Sequence, residues 1–140
     1  MQIGIELKVT SVLDAMNVLG GYHRSLVCTE DGLLIASAGD GGVGDGEDLA
    51  AFTSLFDTVV ERARRDLGFD GVDEVTLLDP QGQRLVIRPL PIVAKPRLFL
   101  VVRMPKHTTW RRNTNQACAR ITPLLEPLTE GTQDADPDPA

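Results

Sequence analysis

Apolar residues recur along the chain at two spacings, and the change from one to the other marks its segments. Leu26, Val27 and Cys28, then Leu33, Leu34, Ile35 and Ala36, form two short apolar runs separated by Glu30, Asp31 and Gly32. The runs over 26–29 and 33–38 are strand-like, and the Asp-Gly pair supplies the positive φ of a tight hairpin turn. Both faces of each run are apolar. That implies cover from both sides and predicts a hairpin at the centre of a sheet.

Upstream, Val9, Val12, Leu13, Met16 and Leu19 keep helical spacing and predict a helix over 10–19, with Ser11 and Asp14 as a weak capping box. Gly20-Gly21 ends it. Residues 1–8 fit either a strand or a further helical turn. Downstream, 47–67 carries the clearest helical stripe, made of Leu49, Phe52, Leu55, Phe56, Val59, Val60, Ala63 and Leu67, with Glu61, Arg64, Arg65 and Asp66 mostly outside it. The stripe is wider than one sheet face requires. Either the helix is deeply buried, or its flank with Ala51 and Phe56 meets a second molecule.

Residues 72–78, the turn Pro80-Gln81-Gly82 and residues 84–88 predict a second hairpin, whose polar start at Asp73 and Glu74 places its first strand near a sheet edge. Pro89, Pro91 and Pro96 make 89–96 a loop. Residues 98–102, apolar on both faces, predict another central strand. In the last helix, Trp110, Ala117, Ile121, Leu124 and Leu128 keep the period behind Thr108 or Thr109 as cap, and Pro123 removes one backbone donor and so kinks or divides it. The stretch 129–140, with repeated acids and two prolines, has no apolar period and is expected to be disordered.

A chain of 140 residues suits one domain with a single sizeable core. Its net charge of -6 argues against a nucleic-acid partner, since binding a polyanion usually needs a basic excess. No apolar run approaches the roughly 20 residues of a membrane span, and the start MQIGIELKVT lacks the pattern of a signal peptide. The expectation is a cytoplasmic protein without membrane insertion. Cys28 and Cys118 have neither the number nor the spacing of a disulfide framework or a zinc site, and read as buried reduced thiols.

Candidate chemistry is sparse. The glycine-rich loop over 39–46 lacks the Gly-Lys-Ser/Thr ending of a phosphate-binding loop, and Asp40, Asp45, Glu47 and Asp48 would repel phosphate. It also lacks the alternating oxygen ligands of a calcium loop, and reads as a mobile loop whose last acids favour the positive end of the next helix. His23 and His107 lie outside any nucleophile motif, and Asp73 and Glu74 would point to opposite faces of a strand. Arg103, Lys106, His107, Arg111 and Arg112 surround Trp110 as a basic stretch that reads as a solvated helix start. No catalytic residue, cofactor or metal ligand can be nominated.

The order helix, hairpin, long helix, hairpin, strand, helix, with SLVCTEDGLLIASAG, LAAFTSLFDTVVERARRDLG, LVIRPLP and LFLVVRM, resembles the Roadblock/LC7 family and its bacterial MglB-like members. The resemblance spans about residues 10–128. It implies an α+β fold, a profilin-like α-β-α sandwich: a five-stranded antiparallel sheet, with the long helix on one face and the terminal helices on the other. It also implies a domain over 1–128, with 129–140 as a disordered acidic tail. Family members form dimers in which the long helices lie side by side and the following strand joins the partner's sheet. Here that implies an interface with Ala51, Phe52, Leu55, Phe56, Val59, Val75, Thr76 and Leu77. By the same resemblance the protein is a non-enzymatic partner or regulator of a Ras-like small GTPase, or else an adaptor or ligand-sensing module without one.

Overall fold

The computed structural model describes residues 2–41, 43–93 and 95–129, so the acidic stretch 130–140 lies outside the described residues. Helix α1 (Gln2–Gly20) leads into strands β1 (Arg24–Thr29) and β2 (Leu34–Gly39), then helices α2 (Val43–Thr53) and α3 (Phe56–Leu67). Strands β3 (Val75–Asp79), β4 (Gln83–Pro89) and β5 (Leu98–Pro105) follow, then helix α4 (Arg111–Leu125) and one 3-10 turn, Glu126–Leu128. The strands form one antiparallel sheet in the order β2-β1-β5-β4-β3. The α+β class and the five strands are those the sequence implies.

The alternation of side chains along a strand gives the sheet two apolar faces. Along β5, Leu98, Leu100, Val102 and Met104 join a core with Val9, Leu13 and Met16 of α1 and Ala117, Ile121 and Leu125 of α4. Phe99 and Val101 point the other way, into a smaller core with Leu26, Cys28, Ile87, Ala50 and Phe56. The terminal helices therefore share one face, and α2 and α3 lie on the other.

The first hairpin turns where the Asp-Gly pair places it. Gly32 has φ +85°, and a Cβ there would stand 3.1 Å from the Ala51 Cα, so the turn and the closeness of α2 both require glycine. Only β1 is interior, however, and β2 forms a sheet edge. Apolar groups on both faces report helices above and below a strand, and α1 and α2 supply that cover to β2 without a neighbour on its outer side. The strand over 98–102 is interior, as its apolar faces predict, and β3 is at the opposite edge.

Other boundaries move for local reasons. Residues 2–9 continue α1 as helix, so Ser11 and Asp14 lie inside it and cap nothing. The N–H groups of Gly21 and Tyr22 both donate to the Asn17 carbonyl, at 2.9 and 3.0 Å, and close its C-terminus. Helix α4 begins after Trp110 with no side-chain cap from Thr108 or Thr109. Pro123 lies within α4, and three residues past it the chain tightens into the 3-10 turn. Thr129, assigned from sequence to the tail, is buried, and its backbone and hydroxyl both donate to the Glu126 carbonyl, at 3.0 and 2.8 Å.

Candidate interaction surface

The segment 47–67 is not one helix. It starts four residues earlier, at Val43, and breaks between Thr53 and Phe56. The Thr53 hydroxyl donates to the Leu49 carbonyl at 2.8 Å and that of Ser54 to Ala51 at 2.7 Å. The Ser54 and Leu55 N–H groups bond three residues back instead of four, to Ala51 and Phe52. Hydroxyls returned to the preceding turn compete with the helical ladder and bend it. The unbroken apolar period across Thr53-Ser54 conceals this break.

Phe56 opens α3 by turning into the sheet, where its ring meets Phe99 at 4.9 Å between centroids. Arg97 fixes the same corner. Its guanidinium lies 5.5 Å from the Phe99 ring centre and contacts the Asp57 carboxylate at 2.5 Å. Beyond this corner α3 buries only Ala63, so most of the helix rests on the sheet lightly.

The residues expected at an interface separate accordingly. Phe52 near the end of α2, Leu55 in the break and Val59 on α3 remain 42, 54 and 44% exposed. Ala51 is exposed beside them. Phe56 is committed to its own core, 2% exposed, so its side chain is not part of the open surface. On β3, half-buried Val75 joins the core beneath α3, and exposed Leu77 shares its face; Thr76 is exposed on the opposite face. Leu67 at the end of the sequence stripe, Leu78 on β3 and Phe69 between them are also exposed. Among the described residues strand β3 pairs only with β4, which leaves its outer edge open. Exposed apolar side chains on the face of a sheet with an open strand edge are the features through which proteins commonly associate.

A buried cation fixes the start of α2. The side chain of Arg24 is 3% exposed, and its Nη1 donates to the carbonyls of Asp40 and Gly41, at 2.5 and 2.9 Å. Its Nη2 donates to the Ser37 hydroxyl at 3.2 Å. The Asp45 carboxylate lies 3.7 Å from Arg24 Nε and 3.5 Å from Arg103 Nη2. Asp45 Oδ2 is buried without a hydrogen bond, so charge attraction alone holds it. A Cβ on Gly46 would stand 2.6 Å from Arg24 Nη2, which explains a glycine inside a helix. The described part of the glycine-rich loop thus wraps an internal arginine, and the signal for it was a charged residue at the head of an otherwise apolar strand.

The remaining candidate chemistry disperses. Arg103 faces Asp45, whereas Arg111 stacks on Trp110 at 4.6 Å and lies 3.6 Å from Glu74, which divides the basic stretch. Asp73 and Glu74 precede β3 instead of lying on it. Cys28 and Cys118 are buried free thiols; burial pushes the Cys28 thiol up to about 12, against a smaller opposing effect of a hydrogen bond with Thr53. Among the described residues no cluster of His, Cys, Asp and Glu could hold a metal ion. No helix among them is long and apolar enough to cross a membrane.

No protein-family model matches the sequence, and no curated protein matches it. Solved structures do. The chain is similar to MglB of Myxococcus xanthus, with a TM-score of 0.72 at 20% identity over 87% of this chain and 90% of that one. It is similar to an MglB with tetrameric arrangement, with a TM-score of 0.75 at 12% identity over 88% and 91% of the two chains. It is also similar to a Roadblock/LC7 domain from Streptomyces avermitilis, with a TM-score of 0.63 at 12% identity over 85% and 92%. The strand order, the placement of helices on the two faces and these likenesses agree: the chain has the Roadblock/LC7 fold in its MglB-like form.

Proposed function

We propose that the protein is a non-enzymatic, dimeric binding partner or regulator of a Ras-like small GTPase. The observation that carries this reading is the exposed apolar set Phe52, Leu55 and Val59 on the α2/α3 face of a sheet whose β3 edge is open. Two copies related by a two-fold axis would cover both sets at once and join two β3 edges into one sheet. A structural neighbour with a tetrameric arrangement supports self-association. The dimer then offers a composite surface to the GTPase. Among the described residues no hydrogen bond joins a hydroxyl or thiol to a histidine base, and an effect on nucleotide turnover would come from ordering the partner's switch loops.

Light scattering should report about twice the 15.2 kDa chain mass. Calorimetry against the small GTPases of the source organism, loaded with GDP or a non-hydrolysable GTP analogue, should show nucleotide-dependent binding. Hydrolysis rates with and without the protein then separate activation from binding alone. If no small GTPase binds in either form while the dimer persists, the adaptor or ligand-sensing reading replaces this one.

A further inference from the structure

The far side of the sheet carries a second open surface, independent of the dimer and GTPase reading. Helices α1 and α4 run antiparallel there: the Tyr22 hydroxyl, just past the end of α1, donates to the Thr109 carbonyl before the start of α4 at 2.9 Å, and accepts from Asn113. Between the helices lies a shallow groove of about 60 Å³, lined by Val12, Ala15 and Leu19 on one side and Gln116, Ala117 and Arg120 on the other. Leu19 is 71% exposed at its mouth.

The groove is framed by cations. Arg112, Gln116 and Arg120 form an i, i+4, i+8 row on α4, all exposed, and Lys8 lies on the groove side of α1 at the helical repeat from Val12 and Ala15. Helix α4 contains no acid, and Glu6 and Asp14 fall on other sides of α1. Neither Arg112 nor Arg120 has a hydrogen-bond or ion-pair partner among the described residues. Arg112 also stands in the first turn of α4, where the helix dipole disfavours a cation. Arg112 therefore gains nothing from the helix dipole, and both guanidinium groups are open to a ligand.

We infer that the α1/α4 face is a docking surface for an acidic amphipathic helix of a partner protein. Charge complementarity selects acidic side chains. Arg112 and Arg120 are separated by about 12 Å along α4, at about 1.5 Å per residue, which matches carboxylates two turns apart on one helix. The apolar floor selects the amphipathic class, because the docked helix must also cover Leu19, Val12 and Ala15. The chain's own acidic stretch 130–140 has no large apolar residue and meets only half of this requirement. An anionic membrane would present charge without the two-turn spacing that Arg112 and Arg120 match.

The test titrates a synthetic helical peptide, a leucine stripe flanked by glutamates two turns apart, into the isotope-labelled full chain, beside a control peptide with lysines for the glutamates. Amide shifts should be confined to α1 and α4, and the lysine peptide should not bind. R112E/R120E, checked for retained fold by circular dichroism, should weaken binding at least about tenfold, a change of about 1.4 kcal/mol. Raising salt should weaken it as well. Equal binding of both peptides, undiminished affinity in R112E/R120E, or shifts on α2, α3 and β3 would overturn the inference. Binding to phosphatidylserine vesicles but not to the acidic peptide would replace it with a membrane surface. Shifts of the α4 amides on removal of residues 130–140, with no peptide binding to the shortened chain, would make that stretch the occupant instead.

Discussion

The two faces of the sheet are finished to different degrees. Against α1 and α4, Leu98, Leu100, Val102 and Met104 meet Leu13, Ile121 and Leu125, all buried to 2% or less. Against α2 and α3, among the described side chains of the helices only Ala50, Thr53, Phe56 and Ala63 are buried beyond Gly46, and Phe52, Leu55 and Val59 remain in water. One sequence thus makes a face completed by its own helices and a face whose helices keep apolar side chains in water. The difference lies in the helices, since the sheet is apolar on both sides.

Leu13→Ala should have the largest effect on folding. It removes a fully buried side chain from the finished face and should cost about 2–5 kcal/mol in urea denaturation. Leu55→Ala on the other face should change the stability of the isolated chain by less than about 0.5 kcal/mol. Equal losses would erase the contrast.

Next comes the ionic anchor on the unfinished side. Arg24→Met leaves the Asp45 carboxylate with Arg103 alone and orphans the Asp40 and Gly41 carbonyls, and should destabilise by about 1–3 kcal/mol, less than for a fully buried pair because Asp45 is one-third exposed. Hydrogen exchange should locate the loss at the start of α2. Uniform acceleration across the sheet would show that the arginine supports the whole fold instead.

Leu55→Asp should act on association more than on folding. Placed where two α3 helices would meet, the carboxylate should raise the dimer dissociation constant at least about tenfold, read by light scattering over a dilution series. An unchanged dimer would move the interface away from this surface.

The smallest effect is set by pH. The Arg97 backbone N–H, donating to Glu30 Oε1 at 2.7 Å, holds the Glu30 carboxyl below the usual carboxylate range, with Lys95 assisting at 3.2 Å. A depressed folded-state value adds stability above the unfolded value of about 4.3, and this is lost as pH falls through the folded value. Glu30→Gln should therefore be slightly less stable at neutral pH and converge with the wild type in acid. A constant difference down to pH 2 would mean that the bond between this turn and β5 does not depend on charge.

The sequence by itself determined the elements whose cause is local. Two hairpins follow from Asp31-Gly32 and Pro80-Gln81-Gly82, where turn chemistry needs no distant partner, and the inward residues of α1 and α4 follow from their period. The apolar stripe of 47–67 was legible too, as was its excess width. Only the tertiary structure decided how that excess is used. Whether Phe56 or Leu55 turns inward depends on where Thr53 and Ser54 break the helix, and on Phe99 and Arg97, more than forty residues downstream, receiving the corner. The place of β2 at an edge was hidden for a related reason, because side-chain patterning reports cover above and below a strand and never its neighbours in the sheet. The role of Arg24 was marked only by a charge at the head of a mostly apolar strand: a buried guanidinium is stabilised by carbonyls and a carboxylate that only folding brings together.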